Sequence, residues 1–240
     1  MENIDLHKLN YGTEALEKFD DSNNYFQWLY QQIDIYINDR IIEVGAGRGH
    51  LTDCYFDFSE AICLTEFDPN CYNFLKSKYQ SIGKIDCMQV DLENPSFEPR
   101  MSEKFDTVLS CNVLEHLPRE SKAISWMKYI LKPHGKLILI LPAHQFLFGS
   151  IDEYYGHYRR YDHSSLCQNL EKFDFKIVKS FYFGKLGAIL WFFKGKVFKQ
   201  GKISDNDVVL RQLLLPIAKL FEKIIKLPFG HNLITIAEKP

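Results

Sequence analysis

The sequence predicts an α/β fold in which a seven-stranded, mostly parallel sheet carries helices on both faces. Short β-branched or apolar segments alternate with segments whose apolar residues recur at helical spacing, which is typical of parallel strands joined by helices. The strand segments are apolar on both sides, as expected for a sheet that is covered on both faces. The first strand, residues 40–44, runs into a glycine-rich turn that precedes a helix.

The predicted elements follow one another without an internal repeat. Strands are predicted at residues 40–44, 61–67, 85–90, 105–111, 136–141, 176–183 and 232–238. Helices are predicted at 24–37, from the glycines to about 58, and at 69–79, 119–131, 164–172, 185–199 and 207–226. Residues 151–161 are predicted to form a loop.

The composition is that of an ordinary globular domain. Of the 240 residues, 46% are hydrophobic and 25% are charged, which allows a substantial core. The formal net charge of -2 gives no positive field for nucleic acid, so we expect none as a partner. The six cysteines form no Cys-x-x-Cys pair, so neither a metal site nor a disulfide framework is predicted. We find no secretory signal and no apolar run of about 20 residues, and we expect a cytoplasmic protein.

A glycine-rich turn follows the first strand, in the order Glu43-Val44-Gly45-Ala46-Gly47-Arg48-Gly49. Such a turn brings backbone N–H groups and a helix start against a ligand, and dinucleotides, phosphates and adenosyl cofactors all use it. A dinucleotide fingerprint requires a third glycine at position 50, which is His50 here. A phosphate-binding loop requires Gly-Lys-Ser/Thr, which is absent. The spacing therefore disfavours a nicotinamide-dependent oxidoreductase.

Four motifs resemble those of class I S-adenosylmethionine-dependent methyltransferases, in the expected order. They are the glycine turn, Glu66 after the second strand, the segment Phe105 to His116, and the turn Leu131 to Lys136, and together they cover about residues 40–142. The resemblance implies a Rossmann-like sheet with an antiparallel last strand, and S-adenosyl-L-methionine as cofactor. The residues that it implies around the cofactor are Glu43, Gly45, Ala46, Gly47, Glu66, Phe67, Asp91, Leu92 and Asn112.

Four acidic residues are given distinct roles. Glu66 comes about 20 residues after the glycines, where a carboxylate can accept hydrogen bonds from both ribose hydroxyls. Asp68 is the nearby alternative, but its predicted role is to cap the helix that begins at Pro69. The resemblance assigns the adenine amino group to Asp91. Glu43 lies in an apolar strand and must be satisfied there, by the turn's N–H groups or by the cofactor through water.

Two histidines are candidates for a catalytic base. Methyl transfer requires alignment of the acceptor with the methyl group, exclusion of water and, for a hydroxyl acceptor, removal of a proton. Histidine is the base best suited to neutral pH. His116 follows the fourth strand, in a turn that is partly structural in the family. His157 follows the fifth strand, at the carboxyl edge where open α/β sheets bind ligands.

The segment around His157 resembles one in a branch of these methyltransferases that is associated with glycan assembly. Its matching residues are Asp152, Gly156, His157, Tyr158, Arg159, Arg160 and Tyr161. The resemblance implies that His157 is the base ahead of His116, and that Asp152, Arg159, Arg160 and Tyr161 bind the acceptor. Arg160 would suit a carboxylate or phosphate on it. The alternative is a surface loop with solvated arginines.

We predict one domain, residues 1–240, with a helical lid at 1–38 and a helical cap at 184–229. Tyr25 and Trp28 in the lid either cover the cofactor or pack in the core. The cap is rich in phenylalanine and lysine. It packs on the substrate pocket, forms a homodimer contact or lies at a membrane surface.

The predicted function is methyl transfer from S-adenosyl-L-methionine to an oxygen of a sugar, glycan or related small metabolite. Methylation of a quinone or of a peptide carboxylate is an alternative within the same chemistry. A non-catalytic module that binds the cofactor is an alternative of another class, because an intact binding site does not prove turnover.

Overall fold

One sheet forms the centre of the protein, in a computed structural model that describes residues 16–18, 20 and 22–240. Its strands are β1 Arg40–Val44, β2 Ala61–Glu66, β3 Ile85–Gln89, β4 Phe105–Cys111, β5 Leu131–Pro142, β6 Lys176–Phe183 and β7 Asn232–Glu238. Their order is β3-β2-β1-β4-β5-β7-β6. Strands β1 to β5 are parallel, whereas β7 runs antiparallel to both of its neighbours. The predicted fold class is confirmed.

Both faces of the sheet are buried because its central strands are apolar on both sides. In β1, Ile41 packs into one hydrophobic cluster and Ile42 into the other, since successive side chains of a strand point in opposite directions. Their β-branched side chains also favour the strand conformation. Because β1 to β5 are parallel, the loops that follow them gather at one edge of the sheet, where ligands bind in this architecture.

A layer of helices covers each face. One layer contains the helices Ser121–Ile130 and His163–Lys172, and the other contains Asn23–Tyr30, Thr52–Tyr55, Pro69–Tyr79 and Asp205–Ile224. Asp68 caps the helix that begins at Pro69, as predicted. Its carboxylate accepts hydrogen bonds from the N–H groups of Asn70 at 2.7 Å and Cys71 at 3.0 Å.

Apart from shifts of one or two residues at other ends, three elements differ from the sequence prediction. Strand β5 begins at Leu131 instead of 136, because a register shift between Phe105 and Thr107 of β4 accommodates the predicted turn within the strand. The first helix ends at Tyr30 instead of 37, because the Gln32 side-chain amide donates to the Trp28 carbonyl that a longer helix would use (3.0 Å). The segment predicted as a loop begins with a helix, Ser150–Tyr154. The Asp152 carboxylate accepts the N–H of Gly149 across its first turn (3.0 Å), a pattern that starts helices.

The cap leaves the sheet after β6 and returns at β7. It comprises the helix Lys185–Trp191, the π-helical turn Phe192–Val197 and the helix Asp205–Ile224. Its ends meet, because the N–H of His231 donates to the carbonyl of Gly184 (3.2 Å). A Cβ on Gly230 would lie 2.6 Å from the backbone of Phe183, so this approach requires glycine. Among the described residues, no helix has the length and apolarity to cross a membrane.

Candidate active site

The glycine turn after β1 has a backbone conformation that glycine adopts at little cost. Gly45, Gly47 and Gly49 have φ angles of 71°, 58° and 76°. A Cβ on Gly45 would lie 2.4 Å from Val113, and one on Gly49 would lie 2.4 Å from the Tyr79 hydroxyl. Because Val113 follows β4, the turns after β1 and β4 touch each other at the edge of the sheet.

The first N–H groups of this turn donate hydrogen bonds to β2 and thereby stabilise the turn. Gly45 and Ala46 donate to the hydroxyl and the carbonyl of Thr65, at 3.4 and 2.9 Å. Gly47 donates to the Glu66 carboxylate at 2.8 Å. These three N–H groups are used within the protein, so the turn offers a ligand close approach at the bare Cα atoms of Gly45 and Gly47 rather than free donors.

Glu66 ends β2 directly beside the glycine turn. One carboxylate oxygen accepts from Gly47, and the other accepts the N–H groups of Phe67 at 2.7 Å and Asp68 at 3.0 Å. Burial raises the pKa of Glu66, and these three donors oppose that rise. A carboxylate has about four acceptor positions. Glu66 therefore keeps capacity for a ligand hydroxyl.

Asp91, Leu92 and Asn112 complete this edge. The Asp91 carboxylate accepts the N–H of Glu93 (2.8 Å), which shapes the turn after β3, and Leu92 is buried beside it. Asn112 follows β4 with a φ of 53°, which asparagine tolerates better than most residues, and its side chain is exposed. The structure brings these residues to the predicted edge, and their contacts with a cofactor stay a prediction.

Glu43 is buried in β1, and its carboxylate is satisfied from the helix after the glycine turn. The hydroxyls of Thr52 and Tyr55 donate to the same oxygen, each at 2.6 Å. This corrects the expectation that the turn's N–H groups satisfy it. Burial raises the pKa of Glu43 to about 7, against the two hydrogen bonds, which lower it. The residue ties β1 to the helix that supports the turn.

His157 is oriented by a buried aspartate. Its Nδ1 lies 2.9 Å from an oxygen of Asp152, which also accepts a hydrogen bond from Arg160 Nε at 2.8 Å. Burial alone would raise the pKa of Asp152, but the His157 hydrogen bond and the Arg160 charge outweigh burial and lower it. An ionised carboxylate only accepts, so Nδ1 carries the proton. Nε2 is then the ring nitrogen that is left to exchange a proton with a ligand.

The two candidate histidines lie together. The ring of His116 packs edge-on against that of His157, with centroids 4.7 Å apart. The Tyr158 N–H donates to the Glu115 carbonyl at 2.7 Å, which joins the two segments. The His116 side chain is exposed, yet desolvation by the surrounding protein and the neighbouring His157 lower its pKa to about 3. A ring that lines a cleft is both accessible to solvent and surrounded by protein, which accounts for the exposure and for the lowered pKa.

Glu115 is a residue of this site that the sequence analysis missed. Its side chain is fully buried, and neither carboxylate oxygen has a hydrogen-bond partner among the described residues. Burial raises its pKa to about 7, and the charges of His157 and Arg160 oppose the rise. The sequence does contain a signal for Glu115, because a carboxylate that follows the apolar residues Val113 and Leu114 is costly to bury unless it has a role.

The same cluster has the ligand types of a metal site. One oxygen of Glu115 and one ring nitrogen each of His116 and His157 lie within 4.8 Å of one another. Two imidazoles and a carboxylate suit several divalent transition metals. Acid–base chemistry and cation binding would use the same His157 nitrogen, so experiment must separate them.

Asp152 and Arg160 form a buried ion pair beside His157, and that they bind the acceptor stays a prediction. Arg160 also lines a groove beside Arg159 and Tyr161, and one of its terminal nitrogens has no hydrogen-bond partner among the described residues. Both side chains are fully buried and bond to each other. The Arg160 guanidinium also lies over the Trp191 ring, 4.8 Å from its centroid, and donates to the Ala143 carbonyl at 3.1 Å. Their contacts position His157.

Arg159 and Tyr161 converge on Glu120, a second residue that the sequence analysis missed. Arg159 donates to the Glu120 carboxylate at 3.2 Å and to the Pro118 carbonyl at 2.7 Å. The Tyr161 hydroxyl and the Asn169 amide donate to the same carboxylate. These side chains line an open polar groove. That they bind the acceptor there stays a prediction.

The described part of the predicted lid touches the glycine turn, while residues 1–15, 19 and 21 lie outside the described residues. Asp20 accepts from the Arg48 guanidinium at 2.8 Å and lies 2.7 Å from His50 Nε2. A Cβ on Gly47 would lie 3.1 Å from Leu16. The division into lid, sheet and cap within one domain stays a prediction.

The two lid aromatics have different surroundings. Trp28 is buried in the core, with its ring 4.4 Å from that of Phe183. Tyr25 is half-buried, accepts a hydrogen bond from Asn232 at 3.0 Å and has the Arg211 guanidinium 4.6 Å from its ring centroid. Their partners Phe183 and Asn232 are paired at the carboxyl end of β6, so both aromatics lie near this edge and Tyr25 is the less buried of the two.

Curated relatives match this chain over part of their length. The chain is 25% identical over 188 residues to a highly reducing polyketide synthase of Emericella nidulans, covering 64% of this chain and 7% of that protein. It is 25% identical over 124 residues to a non-reducing polyketide synthase of Penicillium brasilianum, covering 48% and 5%. The chain therefore spans a small fraction of these relatives.

Solved structures share the fold, and a family model identifies it. A SAM-dependent methyltransferase from Archaeoglobus fulgidus has a TM-score of 0.61 and 20% identity, over 93% of this chain and 97% of that one. Phosphoethanolamine N-methyltransferase 2 of Haemonchus contortus, solved with S-adenosyl-L-methionine, has a TM-score of 0.60 and 18% identity, over 92% and 53%. At these identities the likeness establishes the fold alone. A family model described as a methyltransferase domain matches residues 13–180, which is more than half of the chain, and the chain therefore belongs to that methyltransferase family.

Proposed function

We propose that this methyltransferase transfers the methyl group of S-adenosyl-L-methionine to a hydroxyl oxygen of a sugar, a glycan or a related small metabolite. The observation that carries the proposal is the contact between His157 Nδ1 and the buried Asp152, which leaves Nε2 as the ring nitrogen for proton transfer beside His116. A hydroxyl acceptor is the class that needs such a base, because a neutral hydroxyl is a weak nucleophile.

The carboxyl edge of the sheet has residues that suit the cofactor. Glu66 has one acceptor position left, which suits a ribose hydroxyl, and Asp91 would accept from the adenine amino group. The bare Cα atoms of the glycines in the turn allow close approach. Phe67, Leu92 and Asn112 lie at the strand ends on either side. When bound, the cofactor would supply a sulfonium methyl carbon that a nucleophile can attack in line, with S-adenosylhomocysteine as the leaving group.

The chain's own residues then orient the acceptor and move its proton. His157 takes the proton of the acceptor hydroxyl on Nε2. Asp152 stays ionised and stabilises the imidazolium through Nδ1, and the Arg160 guanidinium balances the charge of Asp152. Glu115 adds a second carboxylate on the same side, so that the positive charge develops between two acidic groups.

The acceptor class rests on the resemblance of residues 152–161 to methyltransferases associated with glycan assembly. The polar groove lined by Arg159, Tyr161 and Asn169 is compatible with a polyol, and Arg159 with an anionic group on it. A peptide carboxylate acceptor would be ionised already and would not need His157. This difference makes the acceptor class testable.

The first experiment tests the cofactor. We expect S-adenosylmethionine and S-adenosylhomocysteine, at a hundredfold excess over Kd, to raise Tm by about 5–10 °C in a thermal-shift titration, and NAD to leave it unchanged. Glu66→Ala should weaken this stabilisation, while Glu60→Ala, at an exposed carboxylate, should not. A shift with NAD alone would overturn the cofactor assignment.

The second experiment tests the acceptor and the base. Transfer of a labelled methyl group is measured to a panel of sugars, glycans, quinones and carboxylates, for the wild type, His157→Ala and His163→Ala. His163 is an exposed histidine and serves as the control. Loss of hydroxyl methylation in His157→Ala alone supports the proposal. Turnover of a carboxylate that survives this substitution would replace it, and cofactor binding without any turnover would favour a non-catalytic module.

A further inference from the structure

One side of the long helix of the cap, Asp205–Ile224, packs against the rest of the protein. Val208 and Leu215 are buried, and Leu215 belongs to the core. The Arg211 guanidinium lies over Tyr25, and Glu222 pairs with Lys185 at 2.6 Å. These contacts fix which way the helix faces.

Its opposite side is a continuous apolar stripe. We call this the outer stripe, and its residues are Val209, Leu210, Leu213, Ile217, Leu220, Ile224 and Leu227, which are 40–70% exposed. From Leu210 to Ile224, spacings of three and four place them on one side of the helix, with Val209 beside Leu210, and Leu227 follows just after the helix ends. One exposed leucine is ordinary, but a folded monomer rarely leaves so large a contiguous apolar surface in water.

The turn that precedes the helix extends this surface. The π-helical turn Phe192–Val197 and the residue after it expose Phe192, Phe193, Val197 and Phe198. An ion pair between Lys194 and Asp207 joins the turn to the first turn of the long helix. Aromatic and aliphatic side chains therefore project from two adjoining elements of the cap.

The charge around the stripe is strongly positive, although the whole chain has a net charge of -2. Residues 192–227 contain eight lysines and arginines and three acidic residues. Each acidic residue already pairs with a lysine, namely Lys18, Lys194 or Lys185. Within the part of the chain that the structure describes, no ion pair involves Lys196, Lys199, Lys202, Lys219, Lys223 or Lys226.

We propose that the outer stripe and the adjoining turn dock the protein flat on an anionic lipid surface. An apolar helix face bordered by lysines suits this surface, because the side chains enter the acyl boundary while the ammonium groups stay at the headgroups. A second copy of the chain would bring two positive borders together, which disfavours self-association through this face. The proposal does not depend on the acceptor.

The test is sedimentation of the full chain with vesicles. We expect binding to phosphatidylcholine vesicles that contain phosphatidylserine to exceed binding to phosphatidylcholine alone by about tenfold or more, and to weaken in high salt. Leu213→Asp with Leu220→Asp should abolish binding, and Lys223→Glu with Lys226→Glu should remove the preference for anionic lipid. Ile35→Asp with Phe58→Asp changes two residues that are 78% and 77% exposed elsewhere, and should bind like the wild type.

Two outcomes would overturn the proposal. One is absence of wild-type binding to anionic vesicles at low salt. The other is a dimer mass in light scattering that Leu213→Asp with Leu220→Asp converts to a monomer, which would assign the stripe to a second copy. Circular dichroism and Tm of each variant establish that it is folded. Leu213, Leu220, Lys223 and Lys226 are all exposed, so we expect the circular dichroism and the Tm of both double variants to match those of the wild type.

Discussion

At the scale of single residues, the Asp152–His157 contact determines which ring nitrogen is available for chemistry. Asp152 is fully buried and ionised, so it fixes the proton on Nδ1 and presents Nε2 to the cleft. The sequence motif indicates that these residues matter, but not that Asp152 and Arg160 face each other. That information comes only from the folded chain, because both residue types are usually solvated.

Asp152→Asn should lower kcat by about 10²- to 10⁴-fold with a smaller change in KM, because a neutral amide stabilises neither the required tautomer nor the imidazolium. Initial rates with the acceptor found in the panel measure this. Tm and circular dichroism show whether the loss of the Arg160 pair has unfolded the chain. A folded variant with normal kcat would mean that Asp152 has no part in the reaction.

Glu115→Gln should lower kcat on the order of tenfold, about 1.4 kcal/mol, because it removes a negative charge beside the forming imidazolium. A chelator such as EDTA should leave the wild-type rate unchanged. If chelation abolishes activity and a divalent metal restores it, the Glu115, His116 and His157 cluster is a metal site, and His157 is not the base. Enzyme assayed in the same buffer without chelator provides the control.

At the scale of elements, Glu43 links β1 to the short helix that supports the glycine turn. Tyr55→Phe removes one of its two donors from a buried carboxylate. We expect the free energy of unfolding to fall by about 1–3 kcal/mol, measured by urea denaturation. Phe56→Tyr, at the neighbouring half-buried ring, keeps the Glu43 contacts and should have a much smaller effect. Equal stability of Tyr55→Phe and the wild type would contradict the assigned role.

The titration of Glu43 gives a pH test of the same link. Its pKa is raised from 4.5 to about 7 in the folded protein, so its contribution to stability is full below about pH 4.5 and is lost as the pH rises through 7. Glu43→Gln keeps an acceptor for both hydroxyls but does not titrate. Relative to the wild type, the variant should therefore gain about 2 kcal/mol between about pH 5 and pH 8. Parallel pH profiles of the two proteins would disprove this, and Glu60→Gln provides an exposed control.

The elements themselves were largely predictable because their signals are local. Strands β1, β4, β6 and β7 have the predicted ends, since runs of β-branched and apolar residues need no distant partner to be recognised. The role of Asp68 as the N-terminal residue that caps the helix Pro69–Tyr79 was predictable for the same reason. The helix Ser150–Tyr154 was missed because five residues are too few for a helical period. The partners of Glu43 and the burial of Glu115 depend on packing between segments, which a single sequence does not encode in readable form.

At the scale of the whole molecule, the described lid residues contact the glycine turn through Asp20, which pairs with the Arg48 guanidinium and lies within hydrogen-bond distance of His50. If the lid covers the cofactor, Asp20→Ala should raise the dissociation rate of S-adenosylhomocysteine by about two- to tenfold at low salt, since exposed ion pairs are individually weak. Stopped-flow displacement measures the rate. Asp57→Ala, at an exposed aspartate, is the control. High ionic strength should bring the wild type towards the variant, and equal rates at low salt would contradict a lid role.

The meeting of the cap's two ends at Gly184 and His231 has a consequence for how freely the segment between them can vary. Because the chain leaves β6 and enters β7 from almost the same point, the length of the segment between them does not set the spacing of these two strands. The entropy of closing such a segment grows only slowly with its length. Its outer side can therefore vary without altering strand register, provided that the long helix keeps its buried contacts, such as Leu215 in the core. Proteins that share this sheet and glycine turn can thus differ in what the outer side of the segment contacts.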